Sequence, residues 1–162
     1  MKNKITLYLF LIVCLTSCTD EIKLSKDLDG TWSIESIESE IYTTTPNETK
    51  NFNNVGTLSF DHCSKSERSD NIGHCLGSYN ITIDNETTQG TFSFFTDIAA
   101  DNNTSESTEY EWVLISIDDN MSNISLNDLS LSGKWKIESL EKKSCTLAKL
   151  HPGGFQRMYL KK

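Results

Sequence analysis

Two dipeptides in this chain, His62-Cys63 and His74-Cys75, bring together residue types that hold metal ions or form covalent cross-links. Two imidazoles and two thiols are a sufficient ligand set for zinc. Adjacent residues of a strand point to opposite faces, however, so a His and the Cys beside it rarely converge on one ion. The spacing also lacks a Cys-x-x-Cys turn. Cys63 ends one predicted strand and Cys75 begins the next, flanking the polar loop 64–74. Outside the cytoplasm a Cys63–Cys75 disulfide is the natural state of such a pair, and it is the expectation here. Cys145 shares a face with Leu147 and reads as a small buried hydrophobe.

No catalytic constellation accompanies these residues. The three histidines, His62, His74 and His151, sit in no nucleophile or metal motif. With 23 Asp and Glu in the chain, paired carboxylates arise by chance. The acidic segments 97–106 and 118–123 lack the glycine-centred ligand spacing of an EF-hand loop. The reading is therefore a protein that is not an enzyme, with no metal and no cofactor. Binding chemistry rests instead on Trp32, Tyr79, Phe92, Phe94, Trp112 and Trp135. These six either line a cavity for a small hydrophobic ligand or fill a solid core.

The compartment is read from the first eighteen residues. Lys2 and Lys4 form a positive start, and the run from Ile5 to Leu15 is mostly apolar. That run is shorter than the roughly 20 residues a membrane-spanning helix needs, and it fits a signal peptide. It ends in Leu15-Thr16-Ser17-Cys18, which resembles the lipobox of bacterial lipoproteins. The resemblance implies cleavage after Ser17 and acyl chains on Cys18, whose thiolate is the nucleophile. Each buried CH₂ contributes about 0.8 kcal/mol, so one chain holds marginally and two or three hold firmly. Thr19 after the cysteine implies, by the same resemblance, the outer membrane. Asp20-Glu21 resembles a surface-export signal and equally suits a solvated tether. The division expected is a signal peptide over 1–17, a lipidated tether over 18–27 and one domain over 28–162.

Loss of residues 1–17 removes two lysines and no acid, taking the formal charge from −8 to −10. A body this acidic, with no basic stripe to neutralise phosphates, excludes nucleic acid as a partner. The segment 134–162 is the exception, with eight Lys or Arg against Glu138 and Glu141. It either faces anionic headgroups or neutralises the acidic remainder.

The elements that must position these residues are short strands. No window keeps a 3.6-residue apolar period, and β-like segments follow one another at 31–43, 55–62, 76–84, 89–96, 108–117, 122–131, 134–141, 144–150 and 156–161. Trp32 and Ile34 fall on one face of the first and Ile37 and Ile41 on the other, a parity switch that predicts a β-bulge near Ser36. The segments 44–54 and 97–107 read as polar loops. Consecutive strands joined by short turns imply an all-β, antiparallel up-and-down barrel of eight to ten strands, or a sandwich.

The first strand opens with Leu28-Asp-Gly30-Thr-Trp32, and the grammar returns in Leu131-Ser-Gly133-Lys-Trp135. Over residues 28–38 and 131–141, seven of eleven positions are identical. An internal echo of one hairpin and convergence on the same strand grammar both account for this. The poor alignment of the surrounding residues favours convergence. Gly30-x-Trp32 followed by successive hairpins resembles the lipocalin-like domains of small bacterial lipoproteins. That resemblance implies a barrel over 28–162, with Trp32 plugging a closed end and a small hydrophobic ligand in the mouth. The alternative is a surface interaction or inhibitor module, whose loops 44–54, 64–74 and 97–107 meet a protein partner.

Overall fold

A computed structural model describes residues 21, 23–42, 48–63, 75–101, 108–117, 131–151 and 153–162. The lipobox with Cys18, the loop 64–74 with His74, and all but the last residue of the predicted strand 122–131 lie outside the described residues. Eight strands follow in order: β1 (Gly30–Ile41), β2 (Glu48–Phe60), β3 (Cys75–Ile83), β4 (Glu86–Asp101), β5 (Thr108–Ser116), β6 (Gly133–Leu140), β7 (Ser144–His151) and β8 (Gly154–Lys161). Each pairs antiparallel with the next, and β1 pairs with β8 to close a barrel. The sheet is a closed antiparallel up-and-down barrel of eight strands, not a sandwich. Closure leaves it without an edge strand.

Alternation builds the core. In β3, Cys75, Gly77, Tyr79, Ile81 and Ile83 are buried while the residues between them are exposed. Gly77 stands opposite Phe92, whose ring occupies the space a Cβ would take, and Gly90 stands in the same relation to Tyr79. In β1 the expected bulge falls between Ile34 and Ser36, with Glu35 as the extra residue. It turns the strand so that Trp32, Ile34, Ile37 and Ser39 are all buried on one side. The parity switch in the sequence is thus a way of keeping one face inward.

Two segments read as loops are strand. Residues 48–54 belong to β2, where Asn51, Phe52 and Asn53 pair with Glu38, Ile37 and Ser36. Residues 97–101 belong to β4, where Asp97 pairs with Trp112 and Ala99 with Tyr110. The polar side chains of 48–54 and the low strand propensity of Asp and Ala in 97–101 are outweighed by the backbone ladder of a long neighbouring strand, because propensity is weak beside pairing.

Successive strands alternate in direction, so β1 starts at one end of the barrel and β6 at the other. Both ends carry the same device. Trp32 Nε1 donates to the Leu28 carbonyl at 2.7 Å, and Trp135 Nε1 donates to the Leu131 carbonyl at 2.7 Å. Lys162 Nζ lies 4.3 Å over the Trp32 ring, and Lys149 Nζ lies 4.6 Å over the Trp135 ring. Gly30 and Gly133 take φ of 105° and 124°, which only glycine adopts without strain. Each strand then bulges three residues after its Trp, at Glu35 and at Glu138. At the β1 end, helical residues 23–28 pack Leu24 and Leu28 into the same core.

Candidate functional site

Cys63 and Cys75 form the expected disulfide, joining the segment just past β2 to the start of β3. With both thiols in the bond, neither is left as a metal ligand, and His62 Nδ1 instead approaches Asp29 Oδ2 at 3.6 Å. Cys145 is free and buried, and burial pushes its thiol up to about 12.

Five of the six aromatic residues named from the sequence meet in one core. Trp32, Tyr79, Phe92, Phe94 and Trp135 are all buried. Phe60 completes an aromatic cluster, edge-on to Phe92 at 5.6 Å and to Phe94 at 5.0 Å. The Tyr79 hydroxyl is buried without a hydrogen-bond partner, and desolvation raises its pKa.

Trp112 is the correction. Val113 and Ile115 take the inward positions of β5, which places Trp112 on the outer face, cross-strand from Asp97 and Lys136. It does not line the barrel interior. The sequence gives apolar residues on both faces of 108–117, so alternation alone leaves the inward face undecided.

A cleft opens where β5 and β6 separate. Their pairing runs only from Trp112–Lys136 to Ile115–Gly133. Beyond it, the start of β5 stays with β4, while the end of β6 stays with β7. The space between them, about 660 Å³, is closed from one side by helical residues Lys23, Leu24 and Asp27. Leu24, Ile98, Ile137 and Leu140 supply apolar surface, while Glu109, Glu111, Glu138 and Lys136 supply charge. Thr96 Oγ1 donates to the Glu21 carbonyl at 3.2 Å, fixing the start of the helical segment against β4.

Glu138 is held at the rim by Arg157, whose Nε and Nη2 donate to its two oxygens at 2.7 and 3.1 Å. This paired hydrogen bond lowers the Glu138 pKa, and the nearby Lys136 charge acts in the same direction. Tyr159 donates to Glu38 at 2.9 Å, extending the network across β8 to β1.

A second cavity, about 390 Å³, lies beside the first and is lined by Ala99, Ala100, Tyr110, Trp112, Lys134 and Lys136. Tyr110 and Lys136 border both. The sequence reading missed Tyr110, Lys134, Lys136 and Ile98 as site residues. The signal available was the double apolar face of 108–117 beside the Lys-x-Lys of 134–136.

No protein-family model matches the chain, and no curated protein matches it. Among solved structures, a lipocalin-like protein from Bacteroides uniformis is similar at 13% identity, covering 84% of this chain and 98% of that one, with a TM-score of 0.41. The fold assignment rests on the strand order and closure described above.

Proposed function

We propose that this protein is a lipid-anchored binding protein of the outer membrane that takes a small amphipathic ligand through the wall of the barrel. The observation that carries this reading is the parting of β5 and β6, which opens a cleft of about 660 Å³ with apolar and charged lining. The axial route expected from the lipocalin resemblance is less favoured, since Trp32 and Trp135 are buried at opposite ends and the core aromatics pack on one another. Anchoring rests on Leu15-Thr16-Ser17-Cys18. Native mass spectrometry of protein purified from its own cells tests the ligand. A bound small molecule is expected in the wild type and is lost in Ile98→Trp, which fills the cleft. Wild-type protein carrying no small molecule, or an Ile98→Trp variant that retains it, would overturn the reading. Intact mass of detergent-extracted protein tests the anchor, with an acyl adduct on Cys18 expected and an unmodified soluble species counting against it.

A further inference from the structure

The outer face of β4, β5 and β6 carries a pocket whose lining has a consistent chemical character. Tyr110 stands opposite Ala99, so a short side chain on β4 leaves room beside a ring on β5. The Tyr110 and Trp112 rings lie 6.2 Å apart at 62°, giving two apolar surfaces along one side. Lys134 Nζ sits 4.3 Å over the Trp112 ring, and Lys136 Nζ sits 3.6 Å over the Tyr110 ring. Both ammonium groups come from one face of β6, two residues apart, and so point the same way.

What the pocket lacks is a side chain that only accepts hydrogen bonds. Among the described residues neither Lys134 nor Lys136 makes an ion pair, although Lys136 acts on Glu138 through its field. Trp112 Nε1 is shut off from solvent and has no hydrogen-bond partner. Asp97 adjoins Trp112 across the β4–β5 pair, but it is not among the residues lining the cavity.

We infer that this pocket is a binding site for a small organic acid with a flat apolar body. The rings of Tyr110 and Trp112 receive the body, as aromatic faces receive planar groups. Lys134 and Lys136 receive the anionic group. A cation lying on a ring face is held in place without being neutralised, so it stays available to an anion. The site goes beyond the cleft proposed above and does not depend on it, since Lys134, Trp112, Ala99 and Ala100 border only this cavity.

The three tryptophans make the test specific. Trp32 and Trp135 have their Nε1–H groups bonded to Leu28 and Leu131, whereas that of Trp112 is unpartnered. In ¹H–¹⁵N spectra, titration with 2-naphthoate is expected to move the Trp112 indole signal and leave the other two in place. The neutral analogue 2-naphthamide is expected to bind more weakly, by roughly tenfold, as is the double variant K134Q/K136Q toward 2-naphthoate. Unmoved Trp32 and Trp135 signals in the variant establish that its barrel is intact. Equal binding of naphthoate and naphthamide, unchanged binding by K134Q/K136Q, or a Trp112 signal that does not respond would each overturn the inference.

Discussion

Trp32 and Trp135, on strands that start at opposite ends of the barrel, donate the same hydrogen bond to a leucine carbonyl four residues upstream. Each indole is covered by a lysine, Lys162 just past the end of β8 in one case and Lys149 of β7 in the other. The identical residues of the two stretches are thus the residues that make the device. Leu supplies the acceptor, Gly the positive φ, Trp the plug and Glu the bulge.

Equal construction predicts equal cost. Trp32→Ala and Trp135→Ala should each destabilise the protein by about 3–5 kcal/mol, the range for removing a buried Trp from a core. Chemical denaturation of the two variants is the measurement. A near-neutral Trp135→Ala would mean that only the β1 end is structurally closed by its indole.

Gly56→Ala is expected to be among the severest small substitutions in the chain. Gly56 has φ of 138°, and a Cβ there would collide with the backbone carbonyl of Asn80 on β3. Backbone strain and overpacking add, for a loss of about 3 kcal/mol or more. Gly30→Ala has the strained φ but only ordinary contact with the Lys162 side chain, so it should cost less. Urea midpoints of the two variants decide the order.

Lys149 makes stability depend on alkaline pH. Burial lowers its pKa from 10.5 to about 8, so the folded value lies below the unfolded one. Below about 8 both states hold the proton and the group adds no slope. Between there and 10.5 the unfolded chain binds more protons, and stability rises with pH. The Ser132 carbonyl, at 2.9 Å, and the Trp135 ring both favour the ammonium form, so the rise is at most about 3 kcal/mol. Comparing wild type with Lys149→Met from pH 7 to 10.5 isolates this term. Parallel curves would contradict it.

Non-reducing peptide mapping should join the Cys63 and Cys75 peptides and leave Cys145 unlabelled until the protein unfolds. The buried Cys145 thiol, held near 12, is both inaccessible and protonated at neutral pH. Cys63→Ser with Cys75→Ser should cost about 3 kcal/mol, the entropy of closing a loop near this length. Ready alkylation of Cys145 in the native protein would show that the β7 side of the core opens.

Much of the barrel was legible in the chain itself. The alternation of Tyr79, Ile81 and Ile83 and the spacing of Met158 and Leu160 indicated which face of β3 and β8 turns inward, since a side-chain period of two has only two settings. The parity switch at Ser36 located the bulge, and the placing of Cys63 and Cys75 at strand ends located the disulfide. The repeated Leu-x-Gly-x-Trp announced two similar strands, though not that they close opposite ends.

Only the tertiary structure decided the rest. Residues 48–54 and 97–101 became strand because long neighbours offered backbone partners, a choice that no local composition expresses. Trp112 faced outward because closure with β4 and β6 selected Val113 and Ile115 for the core, where either face of β5 was apolar enough. The cleft arose because β5 and β6 share only four paired positions, from Trp112–Lys136 to Ile115–Gly133. Register and closure are properties of two strands together. A sequence states which residues prefer burial; the pairing of distant strands settles which of them are buried and where the wall opens.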